Sequence, residues 1–182
     1  MHVKKRSGES EKYDVEKIHK VVQWATEGIN GVSFSDIEMN ANLSLTDGIS
    51  TDNIHKILIK SANDLISESN PNYQYVAARL LNMELRKEVW GHGNHSPDLK
   101  HFLETRVDNG IYDPAVLDKW TSEEISIFNS YINHSRDDLF TYAGLQQMID
   151  KYLAKNRSTG QIYETPQFAY LAIAMCLFDT VD

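Results

Sequence analysis

Residues 168–178 are eleven consecutive apolar side chains, and they constrain the fold more than any other stretch of this chain of 182 residues. The run Phe-Ala-Tyr-Leu-Ala-Ile-Ala-Met-Cys-Leu-Phe follows Thr165-Pro166, a cap residue with proline in the first helical position. It reads as a helix that is apolar all round, and such a helix is stable only when buried on every side. It is too short to span a bilayer. Each large side chain left in water forgoes roughly 1.5–3 kcal/mol. The run ends four residues before Asp182. Its cover is therefore expected to come from another polypeptide, or from the rest of a longer one; the alternative is that residues 98–160 wrap it completely.

The remaining composition is that of a globular chain, with 41% apolar and 24% charged residues. The length gives a prior of one domain to one and a half. A single Cys excludes a disulfide framework and a Cys-rich zinc site within these residues, and it suits a reducing, cytoplasmic compartment. No apolar run is long enough for a membrane helix. The opening Met1-His2-Val3-Lys4-Lys5-Arg6 is too charged for a signal peptide. The net charge of −8 argues against a general nucleic-acid binder. That charge is uneven, because residues 1–20 carry +2 and the rest −10. A small basic opening on an acidic body suits a compact anion such as a nucleotide phosphate.

The first twenty residues read as a hairpin running into a helix. Val3 to Arg6 is one strand, Ser7-Gly8 the turn and Lys12-Tyr13-Asp14 the return. Asp14 then caps a helix whose apolar stripe is Ile18, Val21, Val22 and Ala25, ended by Gly28 and Gly31. Residues 33–45 are ambiguous: Phe34, Ile37 and Ala41 fit a short helix after Ser33 or Ser35, while Leu43 and Leu45 fit the start of a third strand before Asp47-Gly48. Thr51 is expected to cap a helix striped by Ile54, Leu58, Ala62 and Leu65. Asn70-Pro71 opens another, from about 72 to 90. Residues 92–97 read as a linker between a first domain, 1–91, and a helical segment, 98–182. In that segment Thr121-Ser122-Glu123-Glu124 spells a capping box. A helix spans roughly 142–152 and residues 156–160 form a turn.

Motifs for common chemistry are absent. There is no phosphate-binding loop, no dinucleotide fingerprint and no His-Glu-x-x-His. His19 and His55 stand alone in the sequence and read as helix-surface or supporting residues. Cys176, inside the apolar run, is expected to be a small buried hydrophobe, not a nucleophile. What remains is the basic opening. Lys5, Arg6, Lys17 and Lys87 are candidates to converge on one phosphate group, helped by the free N–H groups of the Asp14-capped helix. A solvated charged hairpin fits the same spacing.

Several ordered blocks carry a resemblance. Val3-Lys4-Lys5-Arg6-Ser7-Gly8 and Glu11-Lys12-Tyr13-Asp14-Val15-Glu16-Lys17-Ile18 resemble the opening of an ATP-cone domain. Thr51-Asp52-Asn53-Ile54-His55 and Tyr73-Gln74-Tyr75-Val76-Ala77-Ala78-Arg79-Leu80 resemble its later blocks. Residues 152–157 and 160–168 resemble the helical stretch that leads into the catalytic barrel of the same family. That family is the large, catalytic subunit of class I ribonucleotide reductase, of bacterial and phage type. Ser7 departs from the Asp that the family often has in this turn.

The resemblance implies an α+β fold: a small mixed sheet over a four-helix cluster, then a mostly helical segment that begins the catalytic domain. It implies binding of ATP as activator or dATP as inhibitor, with Mg held by the phosphates, and no covalently bound cofactor. The implied effector site comprises Val3, Lys5, Arg6, Glu11, Lys12, Tyr13, Asp14, Val15, Glu16, Lys17, Thr51, His55 and Lys87. Lys5, Arg6 and Lys87 would serve the phosphates. Glu11, Asp14 and Lys17, with the backbone between them, would hold the base. Thr51 and His55, four apart on one helix face, would serve the sugar or phosphate side. The family's catalytic cysteines, radical-relay tyrosines and barrel lie outside these 182 residues, so no catalytic residue is assigned and the chain alone is expected to be inactive. Expected partners are the rest of the large subunit, met by the 168–178 helix, and the radical-bearing small subunit, with no membrane and no nucleic acid. The alternative is a stand-alone ATP-cone sensor or an assembly module without reductase activity.

Overall fold

The computed structural model describes residues 1–5, 8–91 and 95–178. Among them the chain forms two compact units: residues 1–84 with Phe140–Leu145, and residues 85–139 with 146–182. The expected strand through Arg6, the turn residue Ser7, the linker positions His92, Gly93 and Asn94, and residues 179–182 lie wholly or partly outside the described residues.

The first unit opens with β1 (His2–Lys4) and β2 (Ser10–Lys12), paired antiparallel with Val3 opposite Glu11. The return strand thus ends at Lys12, earlier than expected, and Tyr13 and Asp14 lead out of it. β3 (Ile49–Ser50) pairs parallel to β1, giving the mixed order β2-β1-β3. The third strand is therefore not at Leu43 and Leu45. Leu43 ends the preceding helix in helical geometry and is 87% exposed. What aligns β3 is the turn before it: the Gly48 N–H donates to the His2 carbonyl (2.8 Å) and the His2 N–H to Asp47 Oδ1 (2.6 Å). Gly48 takes a φ of 80°, a conformation that costs glycine little.

Four helices stand with this sheet. α1 (Val15–Thr26) starts where the Asp14 carboxylate accepts the Glu16 N–H (3.0 Å), as its sequence predicts. α2 (Phe34–Asn42) is capped by Ser33. α3 (Thr51–Asp64) is capped by Ser50, whose hydroxyl accepts the Asn53 N–H, so Thr51 is the first helical residue and not the cap. The shift by one follows from β3, which ends on Ser50 in extended backbone. α4 (Tyr73–Trp90) contributes its first turns to this unit. Val22, Ala25, Ile37, Leu58, Ala62, Val76 and Leu80 form the core, each at most 2% exposed. Arg79 donates to the carbonyls of Ala25 and Glu27, closing the open end of α1.

The second unit contains the last turns of α4 with α5 (Leu99–Asp108), α6 (Ala115–Asp118), α7 (Ser122–Tyr131), a 3-10 helix at His134–Leu139, and α9 (Pro166–Leu177). α8 (Tyr142–Gln147) runs into a π-helix at Met148–Tyr152, where the Leu153 N–H reaches back five residues to the Met148 carbonyl. The expected continuous helix over 142–152 is thus two helices of different pitch. The Thr121 capping box forms in full with Glu124. Phe102 and Phe168 stack at 4.0 Å in the core. Glu164 is buried and accepts from the Tyr112 hydroxyl and the Ala154 N–H.

α9 does not bury all its faces. Phe168, Ala169, Ala172 and Met175 are buried, whereas Tyr170, Ile173, Leu177 and Phe178 are exposed. Cys176 is exposed too, which corrects its expected place in a core. Position along the helix decides this: Met175 turns inward, and the next residue is 100° away from it.

Candidate functional site

The residues of the basic opening are brought together by the hairpin and α1. Lys5 leaves β1 and Glu11 lies on β2, and their side chains meet at 3.1 Å. Lys17, one turn into α1, reaches the other oxygen of the same carboxylate, also at 3.1 Å. Glu11 is therefore clamped between two ammonium groups. Their hydrogen bonds, Lys17 first and Lys5 second, hold its carboxyl below the usual carboxylate range. Lys5 also lies 3.8 Å from Glu9. Val3 is buried between Glu11 and Ile49 in register.

The other expected site residues divide. The Asp14 carboxylate is occupied as the α1 cap. Lys12, Val15 and Glu16 are exposed around the start of α1. The Tyr13 hydroxyl is buried without a hydrogen-bond partner among the described residues, and burial, followed by the charge of Glu38, raises its pKa. Thr51 and His55 share a face of α3, but His55 is buried and its Nε2–H donates to the Leu80 carbonyl at 2.7 Å. That bond fixes the tautomer and ties α3 to α4. Arg6 lies outside the described residues. Lys87 lies on α4 in the second compact unit.

Sequence reasoning missed a second polar pair beside these residues. His19 Nδ1 and the Glu38 carboxylate are 3.0 Å apart, with Phe34 edge-on to the imidazole at 5.1 Å. A cavity of about 20 Å³ is lined by Glu38 and Asn42 with Val15, Ile18, Ile54 and Leu58. His19 and Glu38 stand nineteen residues apart on two helices, and no local pattern links them. Chemically, the first unit presents two cations held on one carboxylate beside the turn end of a hairpin. That arrangement can transfer its cations from a carboxylate to a phosphate.

Comparison with known proteins accounts for this combination. Residues 1–88 match the model of the ATP cone domain, and residues 138–182 match that of the ribonucleotide reductase all-alpha domain. The chain is 46% identical over 176 residues to ribonucleoside-diphosphate reductase 1 subunit alpha of Salmonella typhimurium, covering 97% of this chain and 23% of that protein. It is 44% identical over 176 residues to the Escherichia coli K12 counterpart, with the same coverage. Against the alpha subunit of Enterobacteria phage T4 it is 46% identical over 177 residues, covering 97% of this chain and 23% of the phage protein. The chain belongs with the N-terminal parts of ribonucleoside-diphosphate reductase alpha subunits. It spans about a quarter of the length of these relatives. The mixed three-stranded sheet with helices fits the cone, and the mainly helical second unit fits the all-alpha domain. No helix among the described residues is long and apolar enough to cross a membrane.

Proposed function

We propose that this chain is the regulatory N-terminal portion of a ribonucleoside-diphosphate reductase large subunit, binding ATP as activator and dATP as inhibitor of deoxyribonucleotide formation. The observation that carries this reading is the Lys5–Glu11–Lys17 clamp, which lies within the matched cone region. A triphosphate offers more negative charge than Glu11 and displaces it as partner of the two lysines, with Mg sharing the outer phosphates. Val3, Lys12, Tyr13, Asp14, Val15 and Glu16 surround the base and sugar in this reading. Thr51 acts from the first turn of α3, and His55 acts by holding that helix. Arg6 and Lys87 complete the phosphate contacts on the strength of the family resemblance alone. The cone occupies 1–91, residues 92–97 join it to the catalytic domain, and 98–182 begin that domain.

The reductase chemistry and the substrate belong to the remaining polypeptide, the radical-bearing small subunit is a separate partner, and the site of action is the cytoplasm. A groove of about 650 Å³, lined by Val116, Tyr152, Ile173 and Leu177 among others, supports contact between α9 and that remainder. ATP and dATP differ by one hydroxyl, so regulation rests on a small difference in their affinity for two states of the enzyme. Calorimetry on the full chain tests the proposal. Saturable binding of ATP and dATP, competitive with one another, supports it, and no heat with either nucleotide overturns it.

A further inference from the structure

Among the described residues, four buried polar atoms of the second unit lack hydrogen-bond partners, and each belongs to Arg86 or to a residue that contacts it: Nε of Arg86 itself, Trp90 Nε1, His134 Nδ1 and Asp137 Oδ2. The contacts are several. Arg86 lies over the Trp90 ring, 5.4 Å from its centroid. The Trp90 and His134 rings are 4.8 Å apart, edge to face. An Arg86 Nη2–H donates to the His134 carbonyl. Arg86 Nη2 also stands 3.8 Å from Asp137 Oδ2, close enough for attraction but too far for a hydrogen bond. Asp137 is fully buried, and its other oxygen accepts from Gln167 at 3.0 Å.

The protonation of the imidazole follows from its neighbours. The Ser96 hydroxyl donates to the Pro97 carbonyl at 3.0 Å, so it accepts from His134 Nε2–H at 2.7 Å. Nδ1 is then a bare acceptor. Burial, and next the charge of Arg86, lower the His134 pKa to about 4, which keeps the ring neutral. The orphan set is therefore two donors, on Arg86 and Trp90, and two acceptors, on His134 and Asp137. A buried polar group without a partner has lost its hydration and gained nothing in return. Four in one place is not a stable arrangement unless something small satisfies them together.

We propose that Arg86, Trp90, His134 and Asp137 enclose a binding site for one internal water molecule. The water accepts from Arg86 Nε–H and Trp90 Nε1–H and donates to His134 Nδ1 and Asp137 Oδ2, which uses its full tetrahedral capacity. A neutral ligand suits the site because the Arg86 charge is already faced by Asp137 and, at 3.7 Å, by Asp138. The bridge joins the last turns of α4 to the 3-10 helix His134–Leu139.

A crystal structure of the full chain, at a resolution that shows ordered solvent, tests the site. The expected result is one water within hydrogen-bond distance of at least three of the four atoms. Soaking with bromide leaves that peak free of anomalous signal, whereas an anomalous peak there makes the ligand a halide and overturns the proposal. Direct pairing of the four atoms with one another or with other protein groups also overturns it. Trp90→Phe keeps the packing and removes one donor. In solution it is expected to speed amide hydrogen exchange across 134–139 at least tenfold over the wild type. Unchanged exchange there removes the bridging role.

Discussion

Glu11 is the residue at which charge and fold meet in the first unit. Its carboxylate balances Lys5 and Lys17 at equal distances, so each lysine already has a counter-charge. Replacing Lys5 or Lys17 by Ala removes a charge-assisted contact, worth about 1.5–3 kcal/mol, and is expected to weaken dATP binding by roughly ten- to a hundredfold. Calorimetry on both variants checks this, and wild-type affinity in both would displace the site. In the second unit, Asp137 and His134 make opposite pH predictions. Burial raises the Asp137 pKa to about 6, so this carboxyl costs stability increasingly as pH rises from about 4 to 6. His134, lowered to about 4, costs stability as pH falls from about 6.5 to 4. Each shift corresponds to about 3 kcal/mol at full burial, and less for the partly buried His134. The two nearly cancel in the wild type. Asp137→Asn leaves His134 unopposed, so urea midpoints of this variant should fall between pH 6.5 and 4.5 while those of the wild type stay nearly level. Parallel profiles for the two proteins would exclude the pairing.

Among the elements, α3 separates structure from function by a single residue. Ser50 caps the helix and Thr51 begins it. Ser50→Ala should cost about 1 kcal/mol of stability in urea unfolding, the usual value for a lost cap. Thr51→Ala should cost less than about 0.5 kcal/mol, yet weaken nucleotide binding. Equal destabilisation by both substitutions would restore Thr51 as the cap. At α7 both halves of the capping box form, so Thr121→Ala is expected to cost about 1 kcal/mol by the same measurement. The junction of α8 with the π-helix shows a limit of pattern reading. The apolar spacing from Tyr142 to Tyr152 gives no sign of a change of pitch, because one extra residue per turn is accommodated by local packing, not by residue type.

For the whole molecule, the weightiest fact is that the chain spans about a quarter of its relatives while α9 keeps one apolar face in solvent. Burial of Phe168 and Met175 uses only the inner face, and Ile173 and Leu177 on the other face are exposed. Co-expression with a polypeptide corresponding to the remainder of the large subunit should yield a complex that co-purifies. Ile173→Glu with Leu177→Glu should abolish that capture and leave nucleotide binding to the first unit intact. Capture that survives the double substitution would place the contact elsewhere.

Local chemistry, read from the sequence alone, determined the hairpin opening, the Asp14 cap, the apolar stripes of α1 and α3 and the capping box at Thr121, because each depends on residues within a few positions of one another, whereas the choice between Ser33 and Ser35 as cap of α2 waited for the structure. The blocks from Val3 to Leu80 also sufficed to indicate the cone. Only the tertiary structure decided the rest. β3 lies at Ile49–Ser50, beyond the apolar Leu43 and Leu45, because pairing with β1 needs the turn at Asp47-Gly48. His55 is a buried tie to α4, since a carbonyl twenty-five residues away claims its Nε2–H. Cys176 faces solvent because a helix packed on one core can bury one face only, however apolar its sequence. The Arg86, Trp90, His134 and Asp137 cluster spans about fifty residues of sequence, and nothing short of the fold brings these side chains into contact.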